Sequence, residues 1–329
     1  MASPNSTFTE MVSTTLRAHR KKFADNVSNH NALHMRLSRR GRKRTEDGGY
    51  EIVEPLDYAE NSTYQRYSGY DVLNVGASDV LSAAKFDWKQ AAVHVTASGL
   101  ELRNNSGRNQ LIKLSTSRLT NAMRSFRNNF GTDMYSDGTT ANQINGLQAL
   151  VADAGTGTVG GINSSTFSFW TNNVQSAAAP IQGGGAITVS KTTIQSLMLP
   201  LWLRCTRGGD APDLITADED YFTFYEESLT DVKRYANSDD EAIGGFTSLK
   251  YKTADVFFDS SGGTWSSGHP TSHFYFLNTD YLSLVCHKDA DMTQVPEQRA
   301  VNMDAVVIPI ITQANLCTSN RSLQGVCLA

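Results

Sequence analysis

The sequence predicts an α+β protein in which one long helix connects an N-terminal segment to a larger mixed unit. Three observations predict this class. Apolar residues recur at three- and four-residue steps across residues 108–130, which is the spacing of an amphipathic helix. A helix, a short strand and a second helix follow one another across residues 190–232. Short β-patterned segments then dominate from residue 249 to the C-terminus.

Length and composition indicate a globular protein with a polar tail. The chain has 329 residues, 40% of them hydrophobic, which is enough for one large domain or two ordinary ones. The longest uninterrupted apolar run, Leu197–Leu203, contains Pro200 and is far short of the ~18 residues of a membrane span. Residues 1–15 lack the charged start and apolar block of a secretory signal. We therefore expect no membrane partner and a protein that stays in the compartment where it is made.

The N-terminal segment is strongly basic. Residues 1–45 carry ten Lys/Arg and two acidic residues, a net charge of +8, which leaves −12 for the other 284 residues of a chain whose net charge is −4. Such an arm could bind nucleic acid, an acidic partner or the acidic body of a neighbouring copy, and a solvated terminus is an equally good interpretation. Its scattered apolar residues need a partner surface, so we expect it to order only on assembly. The basic residues of interest are Arg36, Arg39, Arg40, Arg42, Lys43 and Arg44.

Residues 50–75 form a tyrosine-rich stretch that contains five of the twelve tyrosines. The alternation up to Tyr58 predicts one strand, residues 59–62 a turn, and residues 64–75 a returning strand. A lone two-stranded ribbon is marginally stable in water, so the rings should be covered by another subunit. A hairpin folded onto its own domain is the alternative. The five rings are Tyr50, Tyr58, Tyr64, Tyr67 and Tyr70.

Residues 78–99 should return the chain to its body, and residues 108–130 should form the spine helix. Two alternating patterns of opposite phase predict one long strand with a bulge at residues 89–91. A helix of some 22 residues would span roughly 33 Å, with Gly131 placed to end it or to begin its fraying. The predicted core face of the helix consists of Leu119, Met123, Phe126 and Phe130.

A glycine-rich stretch follows a boundary near residues 137–142. Gly155 to Gly160 spells the dinucleotide-binding fingerprint, but no helix start follows it and no acidic residue lies about twenty residues on. We interpret it as a glycine-rich loop and predict no cofactor.

The second half of the chain should be a compact α/β unit followed by strands. Ser190 can cap a helix that Pro200 would kink, and Thr216 and Glu219 have capping-box spacing for a helix reaching Val232. Pro309 predicts that the last strand is an edge strand or is bulged. The predicted strands are residues 213–216, 249–258, 274–277, 281–286 and 306–311.

Candidates for chemistry are few, and we predict neither an enzyme nor a metal protein. His30 with His34, and His269 with His273, have zinc-like spacing but lack an adjacent glutamate. Residues 239–241 lack the spaced oxygen ligands of a calcium loop. The four cysteines are widely separated and fit buried free thiols in a reducing cytosol, with a pairing of the last two left open. They are Cys205, Cys286, Cys317 and Cys327.

Seven segments, in this order, resemble the major capsid proteins of tailed bacteriophages, which have the Hong Kong 97-like fold. They are Phe23–Leu33, Pro55–Glu60 with Tyr67–Tyr70, Phe86–Ala91, Gly146–Asp153, Thr158–Ile162, Phe276–Leu282 and Asn320–Gly325. The resemblance names the parts of the chain. Residues 1–47 would be the N-terminal arm, 48–77 the extended β-hairpin loop, 78–141 the peripheral domain with its spine helix, 142–291 the axial domain, and 292–329 the return to the peripheral domain.

The resemblance implies a structural protein that assembles with itself through pentamers and hexamers into an icosahedral shell around double-stranded DNA. It would lie in the virion and assemble in the host bacterial cytoplasm, with scaffolding, portal and decoration proteins as possible partners. Some relatives lock the shell through a lysine of the extended loop, but no lysine occurs between Lys43 and Lys85, so we expect a non-covalent contact there. About 45 residues precede the ribbon, so we expect a separate scaffold or self-assembly.

Three alternatives remain open. An encapsulin-like compartment shares the fold but holds a cargo protein. A dinucleotide-dependent enzyme built on residues 155–160 is a remote alternative. A nucleic-acid-binding protein using residues 36–44 would show steeply salt-dependent binding.

Overall fold

The computed structural model describes residues 32–104, 114–229, 248–260, 262, 266–299 and 303–329. Expectations for the arm before Ala32, for the first residues of the spine helix, for the acidic run at 239–241 and for a helix end at Val232 lie outside these ranges. The helices are α1 Ala32–Arg39, α2 Gly99–Asn104, α3 Leu114–Asp133, α4 Leu147–Leu150, α5 Ile194–Arg204 and α6 Glu219–Ser228. The strands in the first half are β1 Lys43–Glu46, β2 Glu51–Asp57, β3 Leu81–Asp87, β4 Lys89–Ser98, β5 Thr158–Val159, β6 Ile162–Asn163 and β7 Asn173–Ser176. Those in the second half are β8 Leu214–Ala217, β9 Ser248–Tyr251, β10 Ala254–Phe258, β11 His273–Leu277, β12 Leu282–His287, β13 Thr293–Gln294, β14 Gln298–Arg299, β15 Ala305–Thr318 and β16 Gly325–Leu328.

The first six-stranded sheet is built around the long strand β15. Strand β4 pairs antiparallel with it along one side, while β12, β13 and β14 follow one another along the other side. Strand β1 then adds to β12 in parallel. Helix α3 packs against β4, so this sheet and the long helix form one layered unit.

The second six-stranded sheet has the order β7-β16-β11-β8-β10-β9 and mixes parallel and antiparallel pairs. Neighbouring residues on its strands face different cores, as the pleat requires. Ile215, Phe274 and Phe276 pack with α5 and α6, whereas Leu214 and Tyr275 pack in the larger cluster shared with the rest of the chain. The sheet therefore joins the α5–α6 layer to the main core.

The extended hairpin differs from its prediction in the return strand. Strand β2 pairs with β3, so the return strand is Leu81–Asp87 and not residues 64–75, which carry no regular structure. Residues 81–87 pair with β2 in place of residues 64–75 because Ala84 and Phe86, together with Ile52, bury one face of the two-stranded sheet. The long strand predicted within residues 78–99 is also two strands, β3 and β4, separated at Trp88. These two strands belong to different sheets.

The spine helix continues through Gly131 and ends at Asp133, so it does not stop at the glycine itself but soon after it. Phe130 and Met134 on either side are both buried. This packing outweighs the weak helix propensity of one glycine.

Two local predictions in the second half are corrected, and one of two alternatives is confirmed at Pro309. Helix α6 is capped by Asp218, whose carboxylate accepts from the Tyr221 N–H, because Thr216 is still in strand β8. The predicted strand 249–258 is the hairpin β9–β10, with a two-residue turn at Lys252.

Pro309 lies within a strand that is paired on both sides, so β15 is not an edge strand. It lies opposite the gap between β13 and β14, where the register shifts by one residue between the pairs Gln294–Ile310 and Gln298–Val307, which agrees with the predicted alternative of a bulge. The nitrogen and the carbonyl of Pro309 both point towards this gap, where the carbonyl accepts from the Val295 N–H. The N–H that proline lacks is therefore not needed for the pairing of β15 with β4.

The C-terminal part of the basic arm is folded within the single chain, which contradicts ordering only on assembly. Leu33 and Leu37 of α1 are buried in the main core, and the Leu33 N–H donates to Asp259 at 3.4 Å. Strand β1 extends the first sheet through β12. Residues 32–46 thus already have the partner surface that their apolar side chains need.

Among the described residues, no helix is both long and apolar enough to cross a membrane.

Candidate assembly surface

The loop joining β2 to β3 exposes large apolar side chains. Tyr64 is 80% exposed and Val72 is 91% exposed. Large apolar side chains that are exposed close together in one loop favour an interaction site. We define the tip surface as the exposed side chains Tyr64, Tyr67, Tyr70, Val72, Leu73 and Val75.

The five predicted tyrosines do not share one environment. Tyr64, Tyr67 and Tyr70 belong to the tip surface, and Tyr50 is also exposed, just before β2. Tyr58 is half-buried, with its ring 5.9 Å from that of Phe169. The sequence analysis missed Val72, Leu73 and Val75, which a search for uncharged aliphatic residues beside the tyrosines would have found.

The base of the hairpin is part of the core. On β2, Ile52 is fully buried and Leu56 nearly so, and Ala84 and Phe86 of β3 face them. The hairpin therefore has a rigid base and an exposed tip, an arrangement that presents apolar side chains to another molecule.

Most of the predicted basic residues form ion pairs with acidic residues of the same chain. Arg40 lies between Asp213, at 2.5 Å, and Asp255, at 2.8 Å. Lys43 pairs with Asp291 at 2.5 Å. The other pairs are Arg42 with Asp280 and Arg44 with Glu54.

Arg36 and Arg39, on α1, complete the basic set. Arg36 is buried with its guanidinium 4.5 Å from the centre of the Phe257 ring, while Arg39 is exposed. The ion pairs fasten residues 36–44 across both sheets and the hairpin. The acidic partners are dispersed in the sequence, and no local pattern identifies them.

The predicted core face of the spine helix divides between two clusters. Phe126 and Phe130 are buried and stacked, with ring centres 5.9 Å apart. Leu119 and Met123 are half-buried and pack with Val95 of β4.

The glycine-rich stretch forms a β-hairpin, not a nucleotide-binding turn. Strands β5 and β6 pair antiparallel around Gly160 and Gly161, whose φ angles are +59° and +77°. No α-helix follows β6 directly, so the stretch lacks the helix N-terminus that would hold a pyrophosphate.

The histidine candidates serve the fold. His269 is buried, with Nε2 3.2 Å from the Thr216 hydroxyl, and burial lowers its pKa to about 4. His273 pairs with Asp153 at 3.2 Å, and His34 meets the edge of Phe130. Among the described residues, no group of three or more His, Cys, Asp or Glu side chains could hold a metal ion.

All four cysteines are free and buried, as the sequence predicts, and Cys317 and Cys327 do not pair. Burial raises the pKa of Cys205 and Cys327 to about 12 and that of Cys286 to about 11. Because the thiolate is the reactive form, we expect no rapid labelling by a thiol reagent at pH 8 in the folded protein and four thiols per chain in denaturant. Rapid labelling of even one thiol in the folded protein would contradict this packing.

Solved structures of phage capsids match the chain over almost its whole length. A chain of the cyanophage A-1(L) capsid superposes with a TM-score of 0.61 at 13% identity, covering 93% of this chain and 94% of that one. This chain has the Hong Kong 97-like capsid fold. The capsid of the Myoviridae phage XM1 shares that capsid fold, with a TM-score of 0.56 at 10% identity and 94% of each chain covered.

The same capsid fold occurs in a protein shell of another kind. The SrpI encapsulin of Synechococcus elongatus matches with a TM-score of 0.55 at 9% identity, covering 95% of this chain and 94% of that one. No protein-family profile matches the sequence, and no curated protein matches it in sequence. The likeness is therefore one of fold.

Proposed function

We propose that the protein is the shell-forming subunit of a tailed-phage capsid, assembling through pentamers and hexamers into an icosahedral shell around double-stranded DNA. The observation that carries the proposal is the tip surface, held away from the core on a rigid hairpin base. A chain with the capsid fold and an uncovered apolar arm fits a role in which other copies supply the cover. The role is structural and non-enzymatic.

Burial of the tip surface supplies the driving force. Val72 and Val75 are 91% and 92% exposed, and fully burying such a side chain contributes roughly 1.5–3 kcal/mol. Closed symmetry repeats the same contact in every subunit, so a modest gain per copy is sufficient to hold a shell. With no lysine between Lys43 and Lys85, we propose that the contact at the loop is non-covalent.

Contact with DNA would be electrostatic and independent of sequence. Arg39, which is exposed, fits an inner-surface contact with phosphate better than Arg36 or Arg40, which pack within the chain. We place the protein in the virion after assembly in the host bacterial cytoplasm, where scaffolding, portal and decoration proteins would be further partners.

Sedimentation velocity on the purified chain tests the proposal. We expect species far larger than the 36.0 kDa subunit, either closed shells or discrete pentamers and hexamers. A single subunit at every concentration, with and without the candidate scaffold from the neighbouring gene, would contradict self-assembly.

The likeness to the SrpI encapsulin favours a second candidate, a compartment shell with a protein cargo. The contents of particles formed in the native host separate the two. Nuclease-protected double-stranded DNA supports the capsid, whereas a single co-purifying protein without DNA supports the compartment.

A further inference from the structure

The extended hairpin β2–β3 is a separate two-stranded sheet. Among the described residues, its strands pair with each other and with neither six-stranded sheet. One main-chain hydrogen bond between described residues links it to the body, from the Lys85 N–H to the Gly160 carbonyl at 2.9 Å. Side chains of Arg44 and Asn315 hold Glu54 and the Asp87 carbonyl. Its direction therefore depends on what packs against it, because no sheet continues through it.

The β5–β6 turn packs against the inner face of the hairpin. A Cβ atom added at Gly160 would lie 2.9 Å from Cβ of Ala84 and 3.1 Å from Cζ of Phe86. Both of those side chains are buried on the inner face of β3. At Gly161, the next residue of the same turn, an added Cβ would have no atom within 4 Å. Close contact with the hairpin therefore requires glycine at position 160 but not at position 161.

The β5–β6 turn is itself held in place by residues of the core. Trp170 is 1% exposed, and its Nε1–H donates to the Val159 carbonyl at 2.9 Å. Val159 and Ile162, on the two strands of the turn, pack against the cluster that contains Ile52. The turn therefore cannot yield to the hairpin without moving a buried tryptophan.

We propose that the β5–β6 turn sets the direction of the extended hairpin and that Gly160 is the positioning residue of this contact. The proposal rests on the proposed function, because the direction of the hairpin matters only if its tip meets another copy. A seven-residue strand is about 23 Å long, so a tilt of about 5° at its base moves its end by about 2 Å. Close-packed interfaces do not absorb a shift of that size.

Two asparagine variants of the same turn provide the test. Asparagine tolerates the left-handed backbone at both glycines, so backbone strain is matched. Gly160→Asn crowds Ala84 and Phe86, while Gly161→Asn projects into open space. We expect Gly161→Asn to assemble like wild type and Gly160→Asn to lose about tenfold or more of its closed shells, since overpacking a tight contact shifts equilibria on this scale.

A change on the hairpin side keeps the test decisive. Ala84→Val enlarges the other half of the contact and should reproduce the assembly defect with a folded subunit, as judged by circular dichroism. Wild-type yield and shell size from a folded Gly160→Asn or Ala84→Val protein would overturn the proposal. Unfolding of both variants would also overturn it, because the contact would then serve the core alone. If wild type itself forms no shells, the proposed function fails instead.

Discussion

Replacing residues 59–79 with Asn-Gly is expected to give a folded subunit that no longer forms closed shells. The Tyr58 N–H donates to the Val80 carbonyl at 3.0 Å, so the two strand ends are close enough for a two-residue turn. The change removes the tip surface and leaves Ile52, Leu56 and Phe86 in the core. Stability should change by no more than ~0.5 kcal/mol, as for other surface changes. Electron microscopy and thermal unfolding measure the two effects.

Two full-length variants show whether apolar burial or loop length is responsible. Replacing Val72 and Val75 with serine keeps the length and removes apolar surface, so it should also weaken assembly. Glu60→Ala alters an exposed polar residue of the same loop and should assemble like wild type. Closed shells from the shortened chain, with normal yield, would show that the tip surface is not the contact.

Replacing Arg321 with methionine is expected to lower the free energy of unfolding by roughly 3–5 kcal/mol. Arg321 is fully buried and donates to the carbonyls of Leu150 and Trp170, at 2.7 and 3.1 Å, and to Oδ1 of Asn172, at 2.8 Å. Burial lowers its pKa to about 10, so the side chain is still charged at neutral pH. Methionine fills much of the volume but leaves three buried acceptors without a donor.

Urea unfolding of purified subunits measures this loss. Arg204→Met, at an exposed position near the end of α5, is the matched control and should change stability by no more than ~0.5 kcal/mol. Arg321→Lys keeps the charge but not the planar guanidinium that reaches three acceptors. Its loss of stability should therefore lie between those of Arg204→Met and Arg321→Met. An unchanged urea midpoint for Arg321→Met would show that the buried hydrogen bonds are not essential to the core.

Much of the fold is predictable because its signals are local. The spacing of Phe126 and Phe130 predicts the spine helix, and the lack of a helix start after Gly160 predicts a glycine-rich loop in place of a dinucleotide-binding turn. The sequence pattern predicts the wrong structure where two segments could each pair with the same strand. Residues 64–75 are the predicted return strand, but Ala84 and Phe86 offer β2 a face that can be buried, and that tertiary gain decided the pairing.

The basic arm shows what a sequence pattern cannot supply. Its charge is evident in the sequence, yet the partners of Arg40 are Asp213 and Asp255, more than 170 residues away. Ion pairs of this kind depend on which chain segments the fold brings together. For the same reason, the burial of Arg321 could not be predicted, because no pattern in the neighbouring sequence indicates it.

The most direct test of the account is single-particle electron microscopy of the particles that the purified chain forms. The account predicts closed shells in which the hairpin Glu51–Asp87 of one copy lies on a neighbouring copy, with Tyr64, Tyr67 and Tyr70 covered. Shells whose hairpins project into solvent, or isolated 36.0 kDa subunits under all assembly conditions, would contradict it.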